Sequence, residues 1–110
     1  MFTVFHIAED GWEARGLSLP EAFARVLAFA ERDYSFEQAG GEMTLHLKRK
    51  TPLPPMPFPD PELDRYFNPV FRSAHSDAAS ARAEIMAAVI RTGLDGYTAL
   101  PDEQFDEIAA

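Results

Sequence analysis

Three histidines are the side chains of this 110-residue chain best suited to hold a metal or move a proton near neutral pH. His6 and His46 fall on predicted strands, and His75 stands just before Ser76-Asp77. A metal centre needs three convergent ligands, each oriented by a further hydrogen bond. None of the three carries a diagnostic spacing such as HExxH, and the alternation around His46 turns it to solvent. The plainer reading is one half-buried histidine, one surface histidine and one beside a helix N-terminus. No metal and no cofactor is expected.

Ser73, His75 and Asp77 alternate like a triad on paper, but working triads draw their members from separate elements. Ser76 or Asp77 as a helix N-cap accounts for the segment better. Ser18, Ser35 and Ser80 sit in cap, strand or helix-entry contexts, and no GxSxG elbow is present. Gly40-Gly41 leads into a strand, so it reads as a hairpin turn and not as a phosphate cradle. The acid pairs Glu9-Asp10, Asp102-Glu103 and Asp106-Glu107 fall in a turn or on a short exposed helix, where carboxylates stay solvated. A chain without cysteine has no disulfides, thiolate metal sites or cysteine nucleophiles. No catalytic residue is assigned, and the chain is not expected to be an enzyme. The competing reading is a small-ligand binder or enzyme with a pocket between sheet and C-terminal helices, using His6 or His75 with Tyr34 or Tyr97.

These residues need elements to position them. FTVFHIA over 2–8 predicts a strand, with Phe2, Val4 and His6 on one face and Thr3, Phe5 and Ile7 on the other. Large apolar groups on both faces imply a strand that is central or covered on both sides. Asp10-Gly11 is a turn dipeptide, with Trp12 to Arg15 pairing back as a short arm before Gly16. Ser18-Leu19-Pro20-Glu21 is a capping box that opens a helix over 19–32, with Phe23, Val26, Leu27 and Ala30 on its apolar stripe. Residues 34–38 and 43–48 alternate as a hairpin, with Thr44, His46 and Lys48 on the wet face opposite Ser35 and Glu37.

Residues 51–61 read TPLPPMPFPDP, with prolines at 52, 54, 55, 57, 59 and 61. Such a run is neither helix nor central strand but extended polyproline II. Leu53, Met56 and Phe58 are interleaved with the prolines and need burial, so the segment is expected to strap its own surface or a partner subunit's. PELDRYF over 61–67 predicts one helical turn closed by Asn68-Pro69. Val70-Phe71 is too short to assign. A second long helix is expected over 77–92, with Ile85, Met86, Val89 and Ile90 on its stripe and Gly93 as its C-cap. After a turn at 94–97, a short helix follows Pro101, anchored by Leu100, Phe105 and Ile108.

The 18 acids outnumber the 10 bases, for a net charge of −8 that argues against a broad grip on nucleic-acid phosphates. The excess is concentrated: residues 77–110 hold seven acids against Arg82 and Arg91. Lys48-Arg49-Lys50 is the lone basic cluster, and its ordinary reading is protection of a strand end. No window approaches the roughly 18 uninterrupted apolar residues of a membrane helix. No signal peptide or lipidation motif is read, so the cytoplasm is the expected compartment.

The run Gly16-x-Ser18-x-x-Glu21-Ala22, placed after strand and turn and opening a helix, resembles the HicB-type antitoxin fold. Past it the chain departs from that pattern, with two strands, the proline-rich strap, two helices and no DNA-binding tail. No functional residue is carried across from the resemblance.

The expectation is one α+β domain over 1–110: a βαββ half over 1–50, a strap over 51–61 and a helical half over 62–110. Its small, mainly antiparallel β-(β)-α-β-β sheet carries one packed helix, and a helical pair ends the chain. The function expected is a small acidic binding or regulatory module acting by protein–protein contact, as a homodimer or with another protein, without direct nucleic-acid or membrane binding. Trp12, Leu53, Met56, Phe58, Tyr66 and Phe67 are the candidate interface anchors, since aromatic and large apolar groups dominate such contacts. The alternative is an acidic inhibitor or antitoxin-like protein covering a basic nucleic-acid-binding surface, which predicts carboxylates clustered on one face.

Overall fold

The computed structural model describes residues 1–9, 13–39, 44–51, 61–62 and 68–109. By its contacts the chain divides into two compact units, one made of Met1–Arg32 with Met86–Ala110 and the other of Asp33–Ile85.

In the first unit, β1 (Phe2–His6) is the central strand of a three-stranded antiparallel sheet, between β2 (Glu13–Leu17) and β6 (Tyr97–Pro101). Thr3 and Val4 point to opposite faces and both are fully buried, as the two-faced apolar pattern requires. The arm expected to stop before Gly16 runs on to Leu17. Between the pairs Phe2–Leu17 and Val4–Ala14 the register shifts, and Gly16 takes φ +70° there. A bulge absorbs the extra residue, and glycine supplies the left-handed backbone it needs.

α1 (Leu19–Phe29) packs across all three strands of this sheet, burying Ala22, Phe23 and Val26. Ser18 caps it by accepting the Glu21 N–H at 3.2 Å, and its hydroxyl donates to the Glu21 carboxylate at 2.9 Å. The helix ends earlier than the periodicity predicts. Glu31 enters the left-handed region at φ 53°, and the Glu31 and Arg32 N–H groups donate to the Ala28 and Leu27 carbonyls. This is a Schellman closure made without glycine, so its usual marker is missing from the sequence.

α3 (Asp102–Ala109) follows β6 without a loop and packs on the other face, against β6 and β1. Phe5 meets Phe105 there at 5.2 Å between ring centroids, and the Thr3 hydroxyl donates to Asp102 at 2.6 Å. The Thr98 hydroxyl donates to the carbonyl of Ile90, in the part of α2 (Ala78–Thr92) that belongs to this unit. Met86, Val89 and Ile90 are buried, and Gly93 ends α2 at φ +78° as expected.

The second unit holds another three-stranded antiparallel sheet, with β4 (Thr44–Arg49) between β3 (Tyr34–Ala39) and β5 (Phe71–Ala74). The hairpin register is the expected one: Ser35 lies opposite Lys48 and Glu37 opposite His46. The inner face buries Tyr34, Leu47 and Ser73. Arg82 of α2 reaches that face, with its guanidinium 4.7 Å from the centre of the Phe36 ring.

Among the described residues the protein is therefore α+β, with six strands in two antiparallel sheets and three helices. Two features correct the expectation of one small sheet and a purely helical second half. Phe71 opens β5, a strand of four residues in which the period of two is too short to register. Leu100, expected to anchor the last helix, lies instead in β6 and pairs with Thr3. The strap residues 52–60, the turns at 10–12 and 40–43, and most of the 61–67 segment lie outside the described residues; 61 and 62 are helical.

Candidate functional site

His6 ends β1, and both of its ring nitrogens are occupied. The Ala8 N–H donates to Nδ1 at 3.2 Å, and Nε2 lies 3.1 Å from the Asp95 carbonyl. An N–H can donate only to an unprotonated nitrogen and a carbonyl can only accept, so the ring proton sits on Nε2. Tyr97 meets the ring edge-on at 4.7 Å, and Phe29 stacks on Tyr97 at 5.7 Å. Asp95 and Gly96 turn tightly beneath it, at φ 52° and 89°. A Cβ on Gly96 would lie 2.5 Å from His6 Nε2, so only glycine fits. Arg32, which leaves α1 at the Schellman turn, closes the corner by gripping both Asp95 oxygens at 2.9 and 3.2 Å. This histidine is a structural bracket.

The serine–histidine–aspartate run does not assemble. Ser73 points inward and is buried, its Oγ without a hydrogen-bond partner among the described residues. His75 is exposed and bonds to the Glu84 carboxylate, not to Asp77. Asp77 caps α2, accepting the Ser80 N–H at 2.7 Å and the Ser80 hydroxyl at 2.8 Å. Those two donors, in that order, hold its carboxyl below the usual range against the opposing effect of burial. His46 is half-buried on the outer face of its sheet, between Glu37 and Arg72 on the flanking strands. Among the described residues no group of three His, Asp or Glu side chains converges to hold a metal.

The basic cluster is divided by the pleat of β4. Lys48 stands 3.9 Å from Glu37, whereas Arg49 is 3.5 Å from Asp33. The Thr51 hydroxyl also donates to Asp33 at 2.7 Å and is the main influence lowering that carboxyl's pKa. Lys48 and Arg49 point to opposite faces and do not form one patch.

The six anchors named from sequence, Trp12, Leu53, Met56, Phe58, Tyr66 and Phe67, lie outside the described residues. Among the described residues, Ile7 and Ile108 stand out instead as large apolar side chains left exposed. α3 runs alongside β1 in the same direction, with Asp102 at Thr3 and Phe105 at Phe5. Ile7 lies two residues beyond Phe5 in the turn that follows β1, and its N–H donates to the Gly96 carbonyl at 2.9 Å. Ile108 lies one helical turn beyond Phe105 on α3. Ile7 is 71% and Ile108 70% exposed. Ile108 was expected as an anchor of this helix; Phe105 fills that role, while Asp102 and Asp106 turn toward Thr3 and Arg15. The sequence signal was the helical phase of α3 relative to Asp102, legible only once a strand is known to lie beneath it.

Electrostatics differ between the units. The first holds ten acids against four bases, a net of −6, and the second eight against six, a net of −2. Asp102 is held below its usual range by the Thr3 hydroxyl first and by the Gly16 N–H, which outweigh partial burial. Arg15 pairs with Asp106 at 2.5 Å and lies 5.8 Å from the Phe105 ring centre.

No protein-family model, curated protein or solved structure matches this chain. The antitoxin-like run at 16–22 thus stands without a family match, and the four residues that define it have local work: Gly16 forms the bulge, Ser18 and Glu21 the cap, and Ala22 lies on the buried face of α1. No helix among the described residues is long and apolar enough to cross a membrane.

Proposed function

We propose that this protein is a binding module acting by contact with another protein, and that the Ile7–Ile108 face of the first unit is the contact surface. The observation that carries the reading is the exposure of two large apolar side chains, Ile7 just past β1 and Ile108 of α3, each following a member of the Phe5–Phe105 ring pair along the chain. A single exposed isoleucine is ordinary, but two such side chains following one ring pair are what a partner would cover. Covering each returns about 1.5–3 kcal/mol. His6 is engaged as a bracket, Ser18 as a cap and Ser73 in the core, which favours protein contact over chemistry at those residues.

The homodimer expected from sequence rests on the apolar strap residues Leu53, Met56 and Phe58 and on the two-faced first strand, not on Ile108. A photo-crosslinking residue at position 108, in extract of the native host, tests the contact surface against the same residue at exposed Arg25 of α1. One adduct formed from 108 alone, and lost on Ile7→Asp, is the expected result. No adduct, or the same adducts from both positions, removes the reading.

A further inference from the structure

We infer that His6 is a proton-operated latch on the turn that follows β1, closed while its ring is neutral and opened when the ring takes up a second proton. The latch is the contact at Nδ1. The Ala8 N–H donates to it across two residues at 3.2 Å, so the ring takes the part that an aspartate or asparagine oxygen takes in an Asx turn. One further bond closes the same turn, a longer one of 3.4 Å from the Glu9 N–H to the His6 carbonyl. Imidazole is the side chain that changes charge between about pH 5 and 8.

Protonation acts on one edge of the ring alone. At Nε2 the proton already faces the Asp95 carbonyl at 3.1 Å, and a protonated ring keeps that bond. At Nδ1 a second proton points at the Ala8 N–H, donor against donor, and the bond is lost. The ring has little room to turn away. Gly96 lies so close that a Cβ there would be 2.5 Å from Nε2, and Tyr97 meets the ring edge-on at 4.7 Å. Relief therefore comes from the turn, whose residues 7–9 are exposed. Among the described residues the ring bonds to no carboxylate that could hold the charged form in place. Asp95 gives both oxygens to Arg32, Glu9 and Glu31 are exposed, and the β1–β2 register sets Glu13 opposite Phe5.

NMR of the full chain, titrated from about pH 8 to 5, tests the latch. The ring nitrogen shifts of His6 report when Nδ1 gains its proton. Exchange of single backbone amides with water, corrected for its intrinsic pH dependence, reports what that proton releases. Protection of the Ala8 amide is expected to fall by about fivefold as Nδ1 is protonated. The Ile7 amide, bonded to the Gly96 carbonyl on the sheet side, is expected to keep its protection and so marks the opening as local. His6→Asn leaves a side-chain oxygen to accept the Ala8 N–H but nothing to titrate, and its Ala8 protection is expected to stay level over the same range. Unchanged Ala8 protection through protonation of the ring overturns the latch. So does an equal fall at Ile7, which would mean general loosening, or the same fall in His6→Asn. Should that variant not fold, the Ala8–Ile7 comparison in the unaltered chain decides alone.

Discussion

The two three-stranded sheets differ in what their middle strands bury. β1 is covered on both faces, with Thr3 and Val4 fully buried on opposite sides, whereas β4 buries Leu47 on one face and turns His46 and Lys48 outward. The difference decides where polar groups can stand. On β1 a hydroxyl is enclosed, so it must find a partner, and Thr3 finds Asp102. On β4 the pleat carries the polar groups out, and their contacts are loose: Lys48 is 3.9 Å from Glu37, with both side chains about half exposed. A sheet covered on two sides makes its polar residues structural, while one covered on a single side leaves them replaceable.

The largest expected effect sharpens the one-sided half of that contrast. Leu47→Ala removes the best-buried side chain of the second sheet's central strand and should cost about 2–5 kcal/mol in denaturant unfolding. Gly96→Ala strikes the first unit at the corner under His6, where the new methyl meets the ring and φ is +89°. A loss of about 1–3 kcal/mol is expected, and no loss would show that the corner can yield.

Thr3→Val tests whether the enclosed hydroxyl is structural. Asp102 has its pKa lowered in the folded state, so its contribution to stability is present above the unfolded value of 3.8 and is lost as pH falls through the folded value. Thr3→Val should therefore flatten the acid limb of stability against pH below about 4, while removing an outer-face partner should not. Smallest of all, Lys48→Gln should shift stability by less than about 0.5 kcal/mol. A larger loss from Lys48→Gln than from Leu47→Ala would invert the contrast.

Much of the fold was legible because local signals and tertiary demands agreed. The capping serine, the two long apolar stripes, Gly93 and the alternating 34–48 hairpin all specify geometry through neighbours in sequence. What escaped depends on distant partners. β5 is four residues long and is a strand only because β4 lies beside it. β6 reads as a turn leading into a helix, until Phe2 to His6 are there to pair with it. Arg32 reads as the last residue of a helix, yet its bidentate contact with Asp95 draws it out. The candidate site was less legible than the fold. Nothing local marks Ile7 and Ile108 as the apolar residues left exposed, because which residues are covered follows from Phe5 meeting Phe105 across nearly the whole chain.

The junction between Pro101 and Asp102 has a mechanical consequence. Strand passes to helix there with no intervening residue, and the Asp102 N–H is tied to the Met1 carbonyl at 3.1 Å. The helix therefore has no slack, and its rotational phase is counted out from the strand one residue at a time. Inserting a single residue at that point would turn everything downstream by about 100°. Phe105 would leave Phe5 without any change in the composition of either element. The alignment of the two rings is thus indexed by chain length, as a key's cut is indexed by its distance from the shoulder.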